Sequence, residues 1–203
     1  MMFSGLPRSV RRCLVGAVAG LVVVTLSGCT GRGGGQLPPN SPVFTGAASF
    51  GFSFSCERSS KSTSPNPPTG RLAIELSYTE HGANPLGAAG FSIHGMVDTL
   101  DPVLESAICI GQNPPPDGST LIFLGRYRAT TSTPPGFPQQ CATTSTCRFE
   151  VTVRDNDMNR APSPGDYFSI TLSSGTAVSS QLDPATVFYT RAGLLSSGNL
   201  TVD

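Results

Sequence analysis

Tryptophan is absent, histidine occurs twice, and only 13% of the residues are charged, with a formal net charge of zero. Each shortage excludes something. Without a basic excess there is no electrostatic footprint for nucleic acid. His81 and His94 stand in no H-E-x-x-H or H-x-H spacing, so a zinc site has no ligand set to build on. His94 reads as a solvent-side strand residue and His81 as a hydrogen-bonded turn histidine. No G-x-S-x-G elbow occurs, and Ser92 and His94, two apart on one strand face, lack the acid and oxyanion hole of a triad. Glu57, Glu75, Glu80, Glu105 and Glu150 are scattered singly and nominate no catalytic carboxylate pair. The apolar stretch from Cys13 to Leu26 falls short of the roughly 20 residues that a spanning helix needs. After residue 45 no segment keeps a 3.6-residue apolar period over ten residues, which leaves a parallel α/β fold without its crossover helices.

What is there instead is period 2. Phe50, Phe52, Phe54 and Cys56 alternate with Gly51, Ser53 and Ser55, and Leu72, Ile74, Leu76 and Tyr78 do the same. Further alternating runs are Phe91–Gly95, Leu121–Ala129, Phe149–Val153, Phe168–Leu172, Phe188–Leu194 and Leu200–Val202. The segments between them are rich in Gly, Pro, Asn and Asp, the residues of turns. About eight or nine short strands, each with one apolar and one polar face, predict an all-β fold. The expected architecture is an antiparallel β-sandwich or partly closed barrel.

The N-terminus carries Arg8, Arg11 and Arg12, then the apolar stretch, then Leu26-Ser27-Gly28-Cys29. Basic residues, a short apolar run and small residues at the cut form an export signal. The tetrad resembles the lipobox of bacterial lipoproteins. That resemblance implies cleavage after Gly28, diacylglycerol modification of the Cys29 thiol and acylation of the new N-terminus. Two or more acyl chains anchor a protein stably. The expected organisation is a signal peptide over residues 1–28, a lipidated flexible tether over 29–45 and a β-domain over 46–203. The Gly- and Pro-rich composition of residues 30–45 is the reason for expecting a tether. Thr30 after the cysteine carries no aspartate retention signal, which favours the outer membrane in a two-membrane cell.

Outside the signal and the lipidated residue, four cysteines remain: Cys56, Cys109, Cys141 and Cys147. An even number in an oxidising compartment argues for two disulfides. Cys141 and Cys147 bracket a short turn-like run and pair with little rearrangement, leaving Cys56 with Cys109. The longer loop is worth about 4 kcal/mol on the loop-entropy model and the shorter about 2 kcal/mol.

Several segments, taken in order, resemble a small all-β domain of secreted and surface-attached bacterial proteins, the post-COAP domain. They are Phe50-Gly51-Phe52, Gly70-Arg71-Leu72 with Tyr78-Thr79-Glu80-His81-Gly82, and Cys147 before Phe149–Asn156. Asp166-Tyr167-Phe168-Ser169-Ile170 and Gly193–Leu200 continue the series. The chain departs from that pattern in longer loops at 131–147 and 155–166. The resemblance implies a β fold, in a family with no established catalytic activity.

Candidate chemistry is sparse. Asp155, Asp157 and Asp166 lie in a Pro-rich loop whose carboxylates could supply oxygens to Ca2+, although no EF-hand spacing is present. Tyr167 and Tyr189 have polar-face parity and are the aromatics that could stack on a sugar. Arg126 and Arg128 share a strand face and read as a solvated pair balanced by a neighbouring carboxylate. The expected function is that of a non-enzymatic, lipid-anchored envelope protein with a binding or structural β-domain. The alternatives are a calcium-dependent adhesion or glycan-binding module and, third, an envelope hydrolase. Its expected partners are the membrane, through the lipid, and an envelope protein or glycan.

Overall fold

The computed structural model describes residues 29–58, 70–96, 120–156, 165–177 and 181–202. The alternating runs become strands: β2 (Ala48–Arg58), β3 (Gly70–Glu80), β4 (Phe91–Met96), β5 (Thr120–Ala129), β6 (Arg148–Arg154), β7 (Tyr167–Ser173), β8 (Val187–Leu194) and β9 (Ser197–Val202). Before them lies β1 (Cys29–Leu37). Helical structure among the described residues amounts to α1 (Gln139–Thr143) and a 3-10 turn at Pro184–Thr186. The all-β expectation holds.

All nine strands belong to one antiparallel sheet in the order β8-β7-β6-β5-β4-β3-β2-β1-β9. Strands β1 to β8 therefore form a continuous meander, and β9 returns to the free edge of β1. Only Leu195 and Ser196 separate β8 from β9, yet these strands occupy opposite ends of the order. So short a connection forces the sheet to roll until its ends meet. Accordingly β1 contacts β8, and β9 contacts β6. The product is a strongly curled half-barrel.

Rolling brings the apolar faces of distant strands together. Phe50 of β2 stacks on Phe168 of β7 at 3.6 Å between centroids. Phe52 and Phe54 each lie 5.5 Å from Phe123 of β5. The inner residues of β5 to β7 that period 2 marked, from Leu121 to Leu172, are buried. Gly95 and Gly125 make room for the Phe149 ring, which any Cβ there would strike.

Residues 29–45 differ from the expected tether, so the folded domain begins earlier than residue 46. Cys29–Leu37 pairs with β2 on one side and β9 on the other. The glycines that suggested flexibility are what permit this pairing. A Cβ on Gly33 would come within 2.6 Å of Asn199 O, and one on Gly34 within 2.9 Å of Phe50 O. The three glycines thus let β1 fit between two backbones. Leu37 and Phe44 then complete the core at one end.

Two more expectations are resolved here. Cys141 and Cys147 form the anticipated disulfide, tying α1 to the start of β6 with both residues buried. Cys109 lies outside the described residues. Tyr189, expected on the polar face, is instead 2% exposed, because β8 turns Tyr189 and Arg191 inward and leaves Phe188 half-buried.

Gly198 sits at φ +115°, and a Cβ there would collide with the Gly34 carbonyl. Gly198→Ala is therefore expected to destabilise the domain by about 1–3 kcal/mol. Gly193→Ala, near the end of β8 and 3.7 Å from its nearest neighbour, should change stability by no more than about 0.5 kcal/mol. Urea denaturation of the two variants makes the comparison.

Candidate functional site

Among the described residues, a buried polar constellation lies inside the curled sheet. Tyr78 and Glu80 come from the end of β3, and Tyr189 and Arg191 from β8; all four are at most 2% exposed. Residues two apart on a strand share a face, so each strand contributes its pair to one interior. The tyrosine hydroxyls lie 2.6 Å apart. Both donate to Glu80 Oε2, Tyr189 at 2.8 Å and Tyr78 at 3.1 Å. Arg191 Nη1 is 3.6 Å from the same oxygen. Its Nη2 donates to the carbonyls of Pro38 at 2.7 Å and Gly46 at 3.2 Å. The guanidinium also lies over the Phe44 ring, 4.0 Å from its centroid.

This arrangement fastens the 38–46 loop to β3 and β8 with charge-assisted bonds. Burial raises the pKa of both tyrosines, and the negative charge of Glu80 raises them further. They stay protonated donors throughout the physiological range. A cluster this enclosed has no face to offer a substrate. Its sequence signal is weak: Glu80 and Arg191 are far apart in the chain, and the apolar Phe188 favours the opposite parity for β8.

A second carboxylate works at the seam. Asp166 is buried at the start of β7, beside the end of β6. Its Oδ1 accepts from Asn156 N at 3.1 Å and its Oδ2 from Leu200 N at 2.8 Å. The Asp166 carbonyl accepts from Leu195 N at 2.8 Å. A side chain thus supplies the bond that a strand would have given to β9. Of the three calcium candidates, Asp155 and Asp166 are buried at this end and Asp157 lies outside the described residues. Among the described residues no three His, Cys, Asp or Glu side chains converge as a metal site.

Arg148 was also missed. Its parity is that of the polar face, yet it is 1% exposed and donates from Nη1 to Ala177 O at 2.8 Å. It lines a cavity of about 240 Å3 together with Ser173, Thr186 and Asp183. His81 Nε2 meets Ser49 Oγ at 2.8 Å at the exposed start of β2, consistent with a turn histidine. His94 borders an open hollow lined also by Gly51, Phe52, Ser53, Glu75 and Ser77. The register neighbours of Arg126 are Met96 and Arg148, and that of Arg128 is His94.

On the outer face, Arg154, Tyr167 and Leu194 occupy one row across β6, β7 and β8. With Thr152 and Asn156 they line a shallow groove of about 430 Å3. Tyr167 is half-buried and Leu194 is 48% exposed. Of the two tyrosines singled out for sugar stacking, only Tyr167 is on the surface.

Comparison with family models, curated proteins and solved structures returned no match.

Removing one partner of a buried ion pair leaves the other charge without compensation and costs about 3–5 kcal/mol. Glu80→Gln and Arg191→Met should each approach that loss, while the double variant should lose less than their sum. Chemical denaturation of the cycle measures the coupling. The tyrosines set a pH dependence as well. An unfolded tyrosine releases its proton near pH 10, before the folded ones do, so the unfolded state gains first as pH rises. Stability from this source is complete below about pH 10 and falls above it. Tyr189→Phe should flatten the alkaline slope in thermal melts.

Proposed function

We propose that the protein is a lipid-anchored component of a bacterial envelope whose β-domain binds or braces rather than catalyses. One observation carries the second half of this reading. The ionisable side chains that the fold gathers, Glu80 with Arg191 and Asp166 at the seam, are engaged in closing the barrel. The first half rests on Leu26-Ser27-Gly28-Cys29 and the basic and apolar residues before it. With β1 starting at Cys29, the anchor joins the domain with no spacer. The end of the sheet at which β1 begins then faces the bilayer, and the 38–46 loop points away.

A glycan is the second reading, favoured by the groove around Tyr167. An aromatic face beside a guanidinium and a carboxamide is the usual equipment for a sugar ring: the ring stacks while Arg154 and Asn156 meet its hydroxyls.

Intact mass and membrane partitioning test the anchor. The chain made with its own leader should start at Cys29 with added diacylglycerol and acyl mass. Cys29→Ser should be recovered outside the membrane fraction. An unmodified wild-type chain would end the lipoprotein reading. For the groove, Tyr167→Ala should weaken retention on envelope polysaccharide about tenfold, the loss of one base- or sugar-sized stacking contact of roughly 1–3 kcal/mol, with thermal stability nearly unchanged.

A further inference from the structure

The β1–β2 ladder runs without interruption from Leu37 opposite Ala48 to Cys29 opposite Cys56. Directly opposed residues of an antiparallel pair have Cα atoms about 4.5–5.5 Å apart. Disulfides span Cα separations of about 4.4–6.8 Å. Opposed residues also share a face of the sheet. Cys56 has the parity of Phe50, Phe52 and Phe54, all on the core face, and Cys29 has the parity of Leu37.

The register that opposes the two cysteines is held elsewhere in the ladder. Gly33, Gly34 and Gly35 each lie against a neighbouring backbone too closely for a Cβ. A one-residue slip would bring Gln36 or Arg32 into that passage. Leu37 would also leave the core for the opposite face. The facing of Cys29 and Cys56 is therefore a consequence of the whole β1 fit, not of the strand end alone.

We propose that Cys29 and Cys56 form a disulfide in every folded, exported chain whose Cys29 sulfur carries no diacylglycerol. The two thiols surrender two protons and two electrons to a disulfide-bearing oxidant of the compartment. One S–S bond forms in the protein, and the oxidant's S–S bond is reduced to a dithiol. A thioether sulfur has no proton to surrender, so diacylglycerol attachment and cross-linking are exclusive fates of one atom. That exclusivity rests on the lipoprotein reading; the cross-link itself rests only on the strand register. In the lipidated chain Cys56 is left for another thiol, and after removal of residues 1–28 Cys109 is the remaining cysteine.

Tryptic mapping without reduction separates the cases, because Arg32 divides the two cysteines. The full mature chain is exported behind a cleavable leader that lacks the lipobox and is alkylated before digestion. The peptide ending at Arg32 should then be joined to the peptide Gly33–Arg58. Cys141 and Cys147 share the peptide Ala129–Arg148, whose loss of two hydrogens verifies oxidation in the same sample. If that control is oxidised while Cys29 and Cys56 are both alkylated, or Gly33–Arg58 is joined to Leu72–Arg126, the proposal is overturned. A parallel preparation with the native leader is mapped in the same way. A lipid mass on Cys29 with no 29–56 link supports exclusive fates, whereas absence of lipid there counts against the anchor alone. Reducing the cross-linked form, or Cys29→Ser in it, should lower Tm by several degrees.

Discussion

The two-residue connection between β8 and β9 is the constraint on which the rest of the structure depends. It joins strands that lie at opposite ends of the sheet, so the sheet has to close on itself. Closure faces Phe50 toward Phe168 and turns alternating strands into a single interior. It also creates a seam, because β9 pairs with β1 on one side and has no paired strand on the other. Leu195 N extends the β7–β8 ladder to the Asp166 carbonyl, and Ser196 N extends the β1–β9 ladder to the Gln36 carbonyl, so the two ladders meet at that seam. The Asp166 carboxylate completes it at Leu200. An edge amide satisfied by a side chain is also an edge closed to another chain, a recognised hazard of exposed strands.

The charges inside the barrel follow from the same closure. Packing a Pro-rich loop against the end of a barrel buries its carbonyls, and buried carbonyls require donors. Pro38 and Gly46 have no strand to supply them, and Arg191 does so with one guanidinium nitrogen. A buried guanidinium in turn needs a counter-charge and an aromatic face, which Glu80 and Phe44 provide. An apolar replacement of the ion pair would leave the two carbonyls unsatisfied. This makes the pair a device for positioning the loop more than a source of net stability, since desolvation offsets much of the attraction between buried charges.

Alternation made β2 to β7 legible, because one apolar residue in two is a pattern that only a half-buried strand requires. The Leu121–Ala129 and Phe149–Val153 faces are those that period 2 marked. Three glycines in a row carry no such pattern, so β1 read as a linker. Its strand character comes from two neighbouring backbones that the sequence does not place beside it. In β8 the large Phe188 suggested the wrong face; the loop carbonyls that draw Arg191 inward are some 150 residues away in the chain. Asp166 was recognisable as one of several carboxylates in a turn. Its bond to Leu200 depends on the seam, a long-range feature with no local signature.

Under the lipoprotein reading, Cys29 belongs to two systems with different prerequisites. The lipobox is a linear motif that an enzyme meets in an unfolded chain at the membrane. Its register opposite Cys56 exists only once β1 has entered the sheet. Hairpin formation takes about 1–10 μs, whereas disulfide formation takes seconds or longer. Under the lipoprotein reading, therefore, strand pairing does not itself commit the sulfur; the slower oxidation does. Tethering to the processing enzymes during export places acylation ahead of that oxidation. The order of encounter, rather than a difference in stability between the two products, then decides what Cys29 becomes. Geometry enters by limiting the choices: once β1 is seated, the cysteine directly across the ladder is Cys56.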